Sequence, residues 1–437
     1  MKKIFLAGTA LALVASCMIC GCKKNGEGSN PASVSEKSEG KSAGGEGKVL
    51  NIYSWDSEFK TCLSKFYPGY NTGDDSINGV KVNWVIVPDQ DGAYQDKLYE
   101  ALDNQYEASD DEKVDIFLIQ EGYALKFTDS SYALDVRKNL GFSDSDLSNQ
   151  FKYTKDVATN FDGELKALSW QANPSGLIYR RSIAKEVLGT DSPDEVQEKL
   201  SDWEKFSGVA SEAKSKGFFM LPDYNSSCDV FAASVKEPWV MNGTVSVAPA
   251  IKDWVKRTKT YAQKGYIGKG ESGKVMCYFG SSRLFETLAQ KESGSKGDWG
   301  FIAGPQSYAS GGSWICAATG TDNQELVKDI LRKMTSDTDV MTKIAGETGA
   351  FVNNEGVMSN LAQSSYKNDF LGGQNPLPIM VDVAKSFEKG TVSVYDEDLA
   401  DILKDSMSDY FDGACSEDEA WSKFETLVTD KYFNLMF

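Results

Sequence analysis

The chain has 437 residues, with 64 Asp and Glu against 46 Lys and Arg, a formal charge of −18 and no histidine. The negative surplus excludes a body that binds nucleic acids or anionic lipid surfaces, both of which require Lys and Arg clusters, and it suits an extracellular protein kept soluble by its charge. Without imidazole there is no Ser-His-Asp triad, and the commonest nitrogen ligand for zinc is missing.

Lys2 and Lys3 precede an apolar run from Ile4 to Val14. The run is shorter than the roughly 20 residues a membrane-spanning helix needs, so it reads as a secretory signal. Ile19-Cys20-Gly21-Cys22 then resembles a bacterial lipobox, which makes residues 1–21 the signal peptide and Cys22 the lipidated first residue. An ordinary cleaved signal with an incidental cysteine is the other reading. Residues 22–47 continue as a Lys, Gly, Ser and Glu-rich stretch with Val34 as its only larger apolar residue, a composition that builds no core. As a flexible coil it spans about 27 Å and would tether a folded body to a lipid surface.

The remainder, from Lys48 to Phe437, exceeds what one hydrophobic core usually supports, so two domains are expected. Residues 49–53, 80–87 and 114–119 are β-rich runs. Between them Phe59, Cys62, Leu63 and Phe66, then Tyr94, Leu98, Ala101 and Leu102, recur at helical spacing, which predicts an α/β fold with a doubly wound parallel sheet. Ligands of such sheets bind beyond the carboxyl ends of the strands. There the chain places Trp55, Asp56 and Glu58, then Asp89, Gln90 and Asp91, then Gln120, Glu121 and Tyr123. Asp162-Gly163 signals a hairpin turn. Residues 171–176 lead into a strand at Leu177–Tyr179 and read equally as a hinge crossing or an ordinary loop. Near the C-terminus Leu399, Ile402, Leu403 and Met407, then Trp421, Phe424, Leu427 and Val428, repeat at helical spacing.

Several chemistries fall away. Beyond Cys22 the mature chain has Cys62, Cys228, Cys277, Cys316 and Cys415, an odd number without close pairs, which fits buried thiols and implies no zinc site, with one or two disulfides left open. Gly268-x-Gly270-x-x-Gly273 precedes a strand, whereas a dinucleotide fingerprint follows one, so it reads as a turn. Asp89-x-Asp91-Gly92 lacks the further ligands of a calcium loop. No P-loop is present, so an ATPase powering transport would be another protein. No metal, cofactor or catalytic residue is expected.

The order of Ser54-Trp55-Asp56, Val114-Asp115-Ile116, Leu165 to Trp170 before Tyr179-Arg180-Arg181, Trp203, Gly273 to Phe279, Trp299-Gly300, Gly304-Pro305 and Gly311-Gly312-Ser313-Trp314 resembles the maltose-binding-like carbohydrate-binding components of bacterial ABC importers. The resemblance spans the mature body. It implies a periplasmic-binding-protein fold of two lobes, each a mainly parallel sheet flanked by helices, with residues 48–172 plus 311–345 in one lobe and 173–310 plus 346–437 in the other. It further implies a monomer that clamps a mono- or oligosaccharide by hinge closure and delivers it to a membrane permease with a separate ATPase, meeting the membrane only through its lipid anchor.

Sugars need flat apolar faces and hydrogen-bonding partners for their hydroxyls. Trp55 and Trp314 are assigned as stacking platforms, Trp239 as a further candidate, and Trp254, beside Ile251 and Val255, to the core. Asp56, Glu58, Asp89, Gln120 and Glu121 are hydrogen-bonding candidates by their place at strand ends, with solvated loop ends or helix caps as the bland alternative; Asn173 and Tyr179 join them by their hinge position. Phe279 and Ser281 come from a segment after which the family usually carries an aromatic residue, whereas this chain reaches Arg283. A guanidinium there would bind an acidic sugar such as a uronate, unless it points to solvent or pairs with a neighbouring acid. Two rival functions use the same residues: a binding protein for a polyamine, peptide or other solute, which suits the acidity, and a surface glycoside hydrolase, for which paired carboxylates suffice.

Overall fold

A computed structural model describes residues 47–270 and 273–437. The signal peptide, Cys22 and the tether up to residue 46 lie outside the described residues.

The first sheet is built on β1 (Val49–Ser54), which pairs in parallel with β4 (Val80–Ile86) on one side and β5 (Ile116–Gln120) on the other. The helices Glu58–Phe66 and Ala93–Asp103 lie between these strands in sequence. They bury Phe59, Cys62, Leu63 and Phe66, and Tyr94, Leu98 and Leu102, as the spacing predicts. A short antiparallel ribbon of β2 (Tyr70–Asn71) and β3 (Ser76–Ile77) extends the β4 edge. At the other edge β6 (Ala167–Leu168) pairs with β13 (Ser313–Ala317), a strand that arrives from far along the chain and lies antiparallel to β5. The sheet order is therefore β2-β3-β4-β1-β5-β13-β6.

Asp115, immediately before β5, is fully buried and ties this sheet together. It accepts from the Asn51 backbone N–H (2.7 Å), the Thr321 hydroxyl (2.5 Å) and the Asn323 amide (3.1 Å). Burial nevertheless pushes its carboxyl up to about 6, so desolvation outweighs three donors.

The second sheet is organised around β7 (Pro174–Arg180), buried along all but its last residue. Both β10 (Cys277–Gly280) and β11 (Trp299–Ile302) run antiparallel to it, and β12 (Tyr308–Ala309) pairs antiparallel with its first residues. The expectation of a mainly parallel sheet in each lobe is thus corrected: parallel ladders hold the centre of the first sheet, while the second has, among the described residues, only the isolated parallel bridges Phe219↔Val275 and Leu221↔Ile267 beside its antiparallel ladders. Gly176 permits this packing, because a Cβ there would lie 2.4 Å from the Ile302 carbonyl oxygen.

Helices flank the second sheet. Trp203–Ser215 starts at Asp202, whose carboxylate accepts from the backbone N–H groups of Glu204 and Lys205. The C-terminal pair Asp396–Asp412 and Glu417–Lys431 packs Leu399, Leu403, Met407, Phe424 and Val428 around Trp254 in a separate core, whereas Leu427 is exposed. A small hairpin of β8 (Val240–Met241) and β9 (Thr244–Val245) turns at Asn242-Gly243, both with positive φ.

The chain passes from the first sheet to the second through residues 169–174 and returns through 309–313. A third segment runs alongside: Ala172 N–H donates to Phe351 O (2.9 Å) and Asn353 N–H to Trp170 O (3.1 Å). The stretch left open between hinge and loop is therefore a crossing between sheets. Asp162-Gly163 forms a turn closed from Gly163 N–H to Asn160 O. Gly270 and Gly273 sit in turns ahead of β10, and Gly92 opens the helix Ala93–Asp103. Cys62, Cys228, Cys277 and Cys316 are buried free thiols and Cys415 is a half-buried one. Among the described residues, no helix is long and apolar enough to cross a membrane.

Candidate functional site

A cleft opens where the carboxyl ends of β1 and β5 face the helices of the second lobe. It has two chambers, of about 500 Å³ and about 1010 Å³. Trp55 and Gln120 line the first chamber from the sheet side. The opposite wall brings Asp229, Trp239, Lys389, Asp396, Glu397 and Lys404. Gln171 and Phe279 line the second chamber.

Three basic side chains line the first chamber, and each is matched by an acid. Arg283 grips Glu58 with two bonds (2.9 and 3.1 Å), joining the first helix after β1 to the helix after β10. Lys389 pairs with Glu121 (2.5 Å), whose other oxygen accepts from Gly311 N–H (2.6 Å) on the returning crossing. Lys404 pairs with Asp401 (3.0 Å). Three further carboxylates have no cation within ion-pair distance among the described residues. Asp229 accepts from the Ser310 hydroxyl (3.1 Å), and Asp396 from the Trp239 backbone N–H (3.1 Å) and the Ser393 hydroxyl. The Glu397 side chain makes no hydrogen bond among the described residues and packs over Gly122, where a Cβ would lie 2.2 Å from its Oε1. Burial raises the carboxyls of Asp396 and Glu397 above the usual range.

Residues 74–369 match the family model for bacterial extracellular solute-binding proteins. The chain belongs to that family. Among curated proteins nothing matches. Solved structures that resemble this solute-binding protein include an extracellular solute-binding protein of family 1, at 15% identity and a TM-score of 0.72 over 88% of this chain and 99% of the other. A second is the ABC-transporter-associated binding protein of B. animalis subsp. lactis in complex with β-1,6-galactobiose (15% identity, TM-score 0.62, 89% and 98%). A third is the galacto-N-biose/lacto-N-biose I-binding protein of the ABC transporter from Bifidobacterium longum in complex with lacto-N-biose (11% identity, TM-score 0.65, 90% and 99%). At these identities the likeness establishes the two-lobed α/β fold.

In this solute-binding protein, Trp55, Glu58, Gln120, Glu121, Asn173, Trp239, Ser281 and Arg283 meet in the first chamber, and Asp56 and Phe279 reach the second. Trp55 is half-buried, with its ring edge-on to Tyr94 at 5.7 Å, leaving a face for the cleft. Trp239 lines the wall but is 5% exposed and packs edge-on to Phe424, so much of its ring serves the C-terminal core. Phe279 stacks on Phe206 at 5.7 Å. Asp56 accepts from Glu58 N–H (2.9 Å), closing a turn just ahead of the helix Glu58–Phe66. Arg283 takes the second of its two readings, pairing with a neighbouring acid.

Three assigned residues lie elsewhere. Trp314 is 1% exposed, its indole N–H donates to Thr154 O (2.8 Å), and its ring wedges under Gly312, where a Cβ would lie 3.0 Å away. Its strand is interior to the first sheet, so the side chain is core and cannot be a platform. Tyr179 is wholly buried, its hydroxyl donating to Asp191 O (2.8 Å) and its ring covering Gly300. Asp89 lines neither chamber, and one of its carboxylate oxygens is buried without a partner.

Sequence reasoning missed Asp229, Lys389, Asp396, Glu397 and Lys404. Asp396 and Glu397 stand in the first turn of their helix, where acids commonly complement the dipole, so nothing local marks them as cleft residues.

Proposed function

We propose that this protein is the extracytoplasmic substrate-binding component of an ABC importer, capturing a mono- or oligosaccharide between its lobes by hinge closure and delivering it to a membrane permease with a separate ATPase. The observation that carries the reading is the cleft itself: an indole face at Trp55, amides at Gln120 and Asn173, and carboxylates from both walls supply what a sugar ring and its hydroxyls need. Residues 48–172 with 311–345 would move as one lobe against 173–310 with 346–437, about the crossings at 169–174 and 309–313. Anchoring through lipid on Cys22 and a monomeric body complete the proposal, which involves no catalysis. A second reading is favoured by one observation: among the described residues Asp229, Asp396 and Glu397 line the first chamber with no cation within ion-pair distance, which suits a cationic solute such as a polyamine.

The test is thermal unfolding of the body with a panel of neutral and acidic oligosaccharides, polyamines and amino acids. A ligand at 100 times its Kd adds about 2.7 kcal/mol, which for a body of this size raises Tm by a few degrees. A rise with one sugar class, with that sugar recovered intact, is the expected result; recovery of cleaved sugar would favour a hydrolase. A rise with spermidine and none with any sugar would replace the carbohydrate assignment by the second reading.

A further inference from the structure

The two chambers are one cleft narrowed at a waist. Glu58, Asn173, Asp229, Ser281, Arg283 and Ser310 line both, so the two chambers meet at the Glu58–Arg283 pair. Either chamber alone has the size of a single small-molecule site, roughly 300–1,000 Å³, and together they exceed one. The larger chamber also has a built polar feature. Gln171 lines it and is 5% exposed, yet its amide nitrogen has no hydrogen-bond partner among the described residues. A buried donor left unmade is costly, and an acceptor brought by a solute removes that cost. Phe279, half-buried, lines the same chamber. The waist is a weak obstacle, because the Glu58 and Arg283 side chains are 36% and 51% exposed and solvent screens such pairs.

We propose that the second chamber is an extension subsite, and that the solute is an oligosaccharide long enough to run from Trp55, past the Glu58–Arg283 waist, to Gln171 and Phe279. This rests on the carbohydrate reading and adds to it a minimum chain length. The amide of Gln171 donates to a ring or hydroxyl oxygen of the distal residues, and Asn173 and Ser281 at the waist are within reach of the residues that cross it.

The experiment offers the folded body a mixture of oligosaccharides graded by length, prepared by partial hydrolysis of several plant and bacterial polysaccharides, and reads the mass of whatever is retained by native mass spectrometry. Chains of roughly three or more rings are expected, with Kd falling as length increases until both chambers are filled. Gln171→Ala should weaken binding of the retained chain about tenfold while leaving its two-ring fragment unchanged. Thr287→Trp, which fills the second chamber from an exposed position on the helix Arg283–Lys291, should do the same without touching the core. Retention of mono- or disaccharides with affinity independent of length, or chain binding unaffected by Thr287→Trp, would overturn the extension subsite and leave the carbohydrate reading standing. Retention of no sugar of any length would overturn both.

Discussion

The two walls of the cleft are made by different kinds of structure. The first is the rim of a parallel sheet, where Trp55 and Gln120 sit at the carboxyl ends of adjacent strands and their positions follow from the strands. The second is assembled from three distant stretches of chain: residues 228–239 and 389–404, which pack around Trp254 and Phe424, and residues 281–283 at the end of β10. A rim follows from topology, and an assembled wall follows only from tertiary packing. The difference predicts which substitutions act on the ligand and which act on the fold.

The largest effect should come from a residue that looks like the rim and is not. Trp314→Ala removes a fully buried indole and its bond to Thr154 O, so it should lower stability by about 3–5 kcal/mol, measured by denaturant unfolding, with ligand preference unchanged in the fraction that folds. A large affinity loss at nearly unchanged stability would put Trp314 back in the site. Trp55→Ala should do the reverse. It should cost about 2–3 kcal/mol of binding by calorimetry, while its half-exposed position keeps the change in unfolding small. Were Trp55→Ala to unfold the protein while the surviving fraction bound normally, the rim would be scaffold.

The sequence made the rim legible for a physical reason. The β1, β4 and β5 runs each alternate with an amphipathic helix, so their ends could be located to within about two residues. The turn at Asp162-Gly163 and the core role of Trp254 were legible for similar local reasons. Trp314 was misplaced because a Gly-Gly-x-Trp string fixes the strand and leaves open which face its side chains take. Of the second wall only Trp239, Ser281 and Arg283 were legible, and its charged residues were not. Asp396 and Glu397 look like ordinary helix-start acids, and Lys389 lies in a loop whose neighbour Glu121 is 268 residues away. Long-range pairs of this kind leave no periodic trace. The antiparallel second sheet escaped for the same reason, since the partners of β7 come from beyond residue 276.

The first sheet also carries its own pH dependence. Asp115 has a folded-state pKa of about 6, above its ordinary value, so the folded protein holds this proton more tightly than the unfolded chain does. Stability from this group is therefore present at low pH and is lost as pH rises from about 4 through about 6, an effect of about 3 kcal/mol. Asp396 and Glu397 shift in the same direction. Tm should be higher near pH 5 than near pH 7.5, and Asp115→Asn should flatten much of that difference even if it lowers Tm overall. An unchanged profile in Asp115→Asn would assign the dependence to the cleft carboxylates of the second wall instead.

The smallest effect should be at the more exposed of the charge pairs that join the two walls. Arg283 engages Glu58 through two bonds, but both side chains are well exposed, and such pairs contribute at most about 1 kcal/mol. Arg283→Met should therefore change unfolding by no more than that, with the difference shrinking as salt is added. Because Glu58 already occupies the guanidinium, the ratio of affinities for a uronate-bearing sugar and its neutral counterpart should be the same in wild type and Arg283→Met. If the uronate binds more tightly in the wild type and loses that advantage in Arg283→Met, the ligand must draw Arg283 away from Glu58. The second wall would then recognise charge as well as shape, and an acidic sugar would be the natural cargo.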